Sequence, residues 1–214
     1  MYYNPYANML AECYMLQQQM NSNIRVLHAV PNAPAVDVYV DDNIIIKNLP
    51  YKELSSYISV PPGNYNIKVY PTGSTTSPVI DESVYVPEKS FYTIAAIGEL
   101  PNISLYPVQE PTSANKFGLS CVRFIHLSPN APAVDIKLPN NTIVFSNVPY
   151  KGIANYTCVP SGTYTFRVTP TGTNDVVLTV PNVILNPNTF YTIYAVGLVG
   201  ETPELDALLV TEPR

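Results

Sequence analysis

The chain predicts an all-β protein: two tandem immunoglobulin-like β-sandwich domains behind a short N-terminal helix or tail. Three features predict it. The 214-residue sequence contains two copies of one pattern, apolar residues alternate with polar ones at a period of two, and proline separates the runs. Proline numbers 22 against 9 glycines, and tyrosine 17 with no tryptophan. Hydrophobic residues make up 46% and fall mostly in β-branched runs, which excludes a charge-solvated disordered chain. Glycine is too rare for collagen.

The first 23 residues stand outside the repeat. Asn4 can cap a helix with Pro5 in its first turn, which places Tyr6, Met9, Leu10, Cys13, Leu16 and Met20 on one apolar stripe. An isolated helix of ~16 residues is marginal in water, so it needs a surface to lie on, either its own sandwich or another subunit. The segment lacks a basic start, and Glu12 with Gln17 to Gln19 interrupts it, so no Sec signal is expected. No run of ~18 apolar residues occurs, so no membrane span is expected.

The first copy, residues 24–111, opens on RVLHAVPNAPAVD (25–37), which returns as RFIHLSPNAPAVD (123–135) in the second, residues 121–214. NLPYK (48–52) matches NVPYK (147–151), VPPGNY (60–65) matches VPSGTY (159–164), and FYTI recurs at 91–94 and 190–193. A polar linker over 112–120 joins them. Val36, Val38 and Val40 alternate with Asp37 and Tyr39, as a half-buried strand requires, and Val134, Ile136 and Leu138 repeat that face. Tyr65, Ile67 and Val69 form the next such face, matched by Tyr164, Phe166 and Val168. Short runs at 43–49, 79–86, 91–97 and 103–108 complete about seven strands per copy. Prolines at strand ends cost no ladder bond, so the proline content is turn chemistry.

These strings, with the H-x-x-P-x-A-P-A-V-D and VPxGxY motifs in both copies, resemble the DUF4397 family. The resemblance covers nearly the whole chain apart from the tail and linker. It implies a bacterial β-sandwich domain, common in exported or cell-surface proteins, with no established enzymatic activity.

His28 and His126 are the only histidines, each nine residues before Asp37 or Asp135 and three after Arg25 or Arg123. A His–Asp pair could orient an imidazole for base catalysis, but no repeated nucleophile accompanies it. One histidine per copy is thin for a metal site. The expected role of these residues is structural, tying the PNAPAVD crossover to the first strand by hydrogen bonds. Tyr51-Lys52 and Tyr150-Lys151 are expected as tyrosines on a sheet edge beside solvated lysines. Cys13, Cys121 and Cys158, odd in number and without CxxC, are expected as inert thiols or as a disulfide within or between chains.

A net charge of −5, from 11 basic and 16 acidic residues, leaves no footprint for nucleic acid. No cofactor and no catalytic activity are expected. The leading expectation is a structural protein that self-assembles into a bacterial surface, coat or spore-associated layer or fibre, its tail docking on a neighbouring subunit. Its place would be the cell surface, spore surface or an extracellular fibre, and the cytoplasm if unassembled. The alternative is a carbohydrate or cell-wall binding module using Tyr39, Tyr51, Tyr70 and Tyr85 as stacking platforms.

Overall fold

The computed structural model describes Met15, residues 20–112 and residues 118–212. Every named element among them is a strand, so they give no support to the expected N-terminal helix. Tyr6, Met9, Leu10, Cys13 and Leu16 lie outside the described residues; Met20 lies within them, half-buried.

The first half runs β1 (Ser22–His28), β2 (Val36–Val40), β3 (Asn43–Leu49), β4 (Ile58–Val60), β5 (Gly63–Pro71), β6 (Ile80–Val86), β7 (Phe91–Glu99) and β8 (Asn102–Gln109). The second repeats it: β9 (Leu119–His126), β10 (Val134–Lys137), β11 (Ile143–Val148), β12 (Thr157–Pro160), β13 (Gly162–Pro170), β14 (Leu178–Leu185), β15 (Thr189–Val196) and β16 (Asp206–Thr211). Each half therefore has eight strands where about seven are expected. The extra one is β4 or β12, three or four residues long and too short for a period-two signal.

Each half is a sandwich of two four-stranded sheets. In the first, β4-β1-β7-β8 faces β3-β2-β5-β6; in the second, β12-β9-β15-β16 faces β11-β10-β13-β14. β1 pairs with β7 in parallel, as β9 does with β15, and the other ladders are antiparallel. The β2–β3 hairpin turns through Asp41 and Asp42, both at positive φ, which acidic turn residues tolerate and which matches the strand twist. At Gly98 and Gly197 a positive φ coincides with the carbonyls of Asn102 and Glu204 standing where a Cβ would project, so only glycine fits.

Alternating residues fill two separate sandwich cores. Val26, Val38, Ile67 and Ile94 pack in the first, and Phe124, Ile136, Phe166 and Ile193 in the second. A third apolar layer lies between the sandwiches: Leu27, Ala95, Ile97 and Val108 pack against Ile125, Tyr194, Val196 and Val210. The four sheets therefore stack in four layers. Burial of a Leu or Ile side chain is worth about 1.5–3 kcal/mol, so this middle layer holds the halves together as one body.

Candidate functional site

The repeated His and Asp do not meet as a pair. His28 Nε2 lies 3.0 Å from the Pro34 carbonyl, and Nδ1 accepts the Val30 N–H at 3.4 Å. His126 repeats this with Pro132 and Ser128. One tautomer satisfies both contacts, with Nε2 donating, and burial holds both imidazoles below the ordinary histidine range. Asp37 instead accepts the Asn48 N–H at 2.8 Å and the Gly73 N–H at 3.0 Å, and Asp135 accepts those of Asn147 and Gly172. The two amides hold Asp37 below the ordinary carboxylate range; at Asp135 they outweigh an opposing burial effect. Asn48 and Asn147 take positive φ to present those amides. His and Asp thus fasten different stretches of loop.

Arg25 and Arg123 point the other way, into the layer between the sandwiches. Arg25 donates through Nε to Thr93 at 2.9 Å, and its Nη2 lies 2.9 Å from Glu110 and 2.6 Å from Glu212. Arg123 donates to Thr192 at 2.8 Å and to the Gln109 carbonyl at 2.8 Å, with Glu212 3.5 Å away. Thr93 and Tyr57 donate to Glu110, and Thr192 to Glu212. Tyr57 and Tyr156 cover the guanidiniums at 4.6 and 4.8 Å. Burial, and then Glu110, pushes the Glu212 carboxyl up to about 7. Glu110 and Glu212 lie outside the strings that repeat at a constant offset, yet V-x-E-P at 108–111 and 210–213 carries the signal once three inserted residues are allowed.

The structure adds detail to two sequence expectations. Lys52 stays partly exposed, but its Nζ pairs with Asp206 of the other repeat at 2.6 Å, while the Tyr106 hydroxyl donates across to the Lys151 carbonyl. Burial beside Asp206 raises the Tyr51 phenol to about 12. Of the alternatives the sequence left open for the cysteines, Cys121 and Cys158 take the disulfide within the chain, and neither is free to meet Cys13 of a neighbour. They sit opposite each other on β9 and β12, in the places that Asn23 and Ser59 take in the first repeat.

What the first sandwich presents to solvent is an apolar cleft at its open edge, between β3 and β4. Ile24, Val26, Val40, Ile46, Ile58 and Val60 are among its walls, Ile45 stands at its mouth 41% exposed, and its volume is about 50 Å³. No polar side chain lines it. On the outer sheet, Tyr39 and Tyr70 meet edge to face at 5.2 Å, with Tyr85 exposed.

A family model for DUF4397, a domain of unknown function, matches residues 22–137 and 138–214. The chain belongs to this family. The boundary between the two DUF4397 matches falls at the end of β10, whereas no sheet mixes strands from the two halves. No curated protein matches. Solved structures similar to this DUF4397 chain include the Bacillus anthracis TIE protein, at 12% identity and TM-score 0.28, over 84% of this chain and 34% of that one. Another is CBMbc of family CBM26 from Eubacterium rectale Amy13K, solved with maltoheptaose, at 9% identity and TM-score 0.28, over 91% and 98%. This chain thus spans about a third of the TIE protein, and likenesses of this size carry no argument about function.

Proposed function

We propose that this chain is a non-catalytic structural subunit that self-assembles into a bacterial surface, coat or spore-associated layer or fibre, its N-terminal segment docking on a neighbouring subunit. The observation that supports this reading is the welded pair of sandwiches. Buried ion pairs and an apolar middle layer make two repeats into one stiff unit, and the unrepeated apolar segment leads into it at Ser22. A stiff body with one segment for a neighbour makes a heterologous contact, which propagates unless it closes into a ring. The low charge of the chain sets little repulsion against such contacts. Light scattering with electron microscopy of the full chain tests it: particles growing with concentration are expected, and a monomer at every concentration overturns it.

The second reading is carbohydrate or cell-wall binding, favoured by the Tyr39–Tyr70 pair on an exposed sheet face. Glycan-array binding lost on Tyr39→Ala and Tyr70→Ala is its expected outcome; no bound glycan refutes it.

A further inference from the structure

We propose that the free edge of β6 pairs antiparallel with β6 of a second copy, joining two outer sheets across a two-fold axis at Ser83. This rests on the assembly reading for its partner, a second copy, and makes no use of the N-terminal segment. β6 ends its sheet in the order β3-β2-β5-β6, and among the described residues no strand bonds to its other side. The Asp41 N–H donates to the Asn66 carbonyl, so Asn66 turns its backbone groups toward β2 and its neighbour Ile67 turns them toward β6. Ile67 stands opposite Glu82, so Ile80, Glu82, Val84 and Val86 bond to β5. The N–H and C=O groups of Asp81, Ser83 and Tyr85 therefore point away from β5 along the edge, and all three residues are exposed.

The two repeats treat this edge differently. β14, the counterpart of β6, carries Pro181, which has no N–H, and Asn182 at positive φ, where the register with β13 shifts between Tyr164 and Phe166. A proline and a bulge close an edge to further pairing. β6 has neither, and it holds one register with β5 from Gly63 to Val69. Its own sequence chooses the occupant. Two copies of IDESVYV, antiparallel about Ser83, set Ser83 against Ser83, Asp81 against Tyr85 and Glu82 against Val84. Every outward N–H then meets an outward carbonyl, and no carboxylate directly faces another, which would be destabilising. Glu82 keeps its carboxylate on the Leu105 N–H of its own chain, and Tyr85, 64% exposed in the single chain, becomes covered. Such an isologous contact uses both edges completely and leaves none for a third copy.

Two measurements on the full-length chain test the edge and its register. In a Cys13→Ser background, Ser83→Cys and Asp81→Cys variants are oxidised in air and run on non-reducing gels. Facing Ser83 positions would lie about 5.5 Å apart between Cα atoms, within reach of a disulfide, whereas Asp81 faces Tyr85. Ser83→Cys should form at least tenfold more covalent dimer than Asp81→Cys; equal yields, or none from Ser83→Cys, overturn the register. Light scattering then compares the parent with Ser83→Pro, which removes an outward N–H but no ladder bond, and with Ser83→Lys, which sets two lysines face to face. Both should raise the concentration needed to associate at least tenfold and melt like the parent at dilutions where all are monomers. Variants that associate like the parent overturn the edge contact and leave the assembly reading standing. Parent dimers that grow no further and are lost in both variants support the edge contact and overturn that reading. A parent that stays monomeric overturns both.

Discussion

Replacing Arg25 by leucine tests the weld between the sandwiches most directly. The guanidinium holds Thr93, Glu110 and Glu212, and both carboxylate side chains are fully excluded from solvent. Leucine leaves the two carboxylates facing each other with only Arg123 near one of them. Stranding a buried charge in this way costs about 3–5 kcal/mol. At about 2–4 °C per kcal/mol for a chain of this size, melting should fall by about 6–20 °C. The loss should also depend on pH. A carboxyl whose folded pKa is raised supplies stability that is full below its unfolded value, near 4.5, and is lost as pH rises through about 7. Without Arg25 the ionised form is held still less well, so the deficit should be larger at pH 8 than at pH 5.5. Thermal melts followed by circular dichroism at both pH values measure it. A deficit below about 1 kcal/mol at pH 8, or an equal deficit at both, would refute the reasoning.

Glu212→Gln has no proton to gain, so it should flatten the stability profile between pH 5 and 8; the parent's shift from 4.5 to about 7 corresponds to about 3 kcal/mol over that window. Reducing the Cys121–Cys158 bond, which spans 37 residues, should cost about 4 kcal/mol by loop entropy, read as a lower melting temperature with reductant. Asp37→Ala strands the Asn48 and Gly73 amides and should cost about 3 kcal/mol, and Asp135→Ala should add to it independently, both read by denaturant unfolding. The same carboxylates, held below 3.8 when folded, supply stability above about pH 4 that is lost as pH falls through their folded values. His28 and His126, held below 6.5 by burial, should take up protons at lower pH in the folded chain than in the unfolded one, and stability should decline as pH falls beneath about 6.5; NMR titration of the imidazoles checks it.

Strand identity was legible wherever one face met a core and the other met solvent. VDVYV and GNYNIKVYP read correctly because period-two alternation is a local consequence of the pleat. β4 escaped because three residues cannot show a period. The crossover roles of His28 and Asp37 were half legible. Their repetition marked them as structural, but which loop each one fastened depended on Asn48 and Gly73 arriving from other strands.

Arg25 and Leu27 share one face of β1, and Val26 and His28 the other. The sequence by itself determined that alternation, the duplication and the turn positions, since each follows from spacing along the chain. It could not say that the Arg25 face is covered, because the cover is the second sandwich, bringing Glu212 from 187 residues away. Only the tertiary structure decided that two sandwiches become one body, because burial of a charged face depends on what packs against it and not on its own pattern.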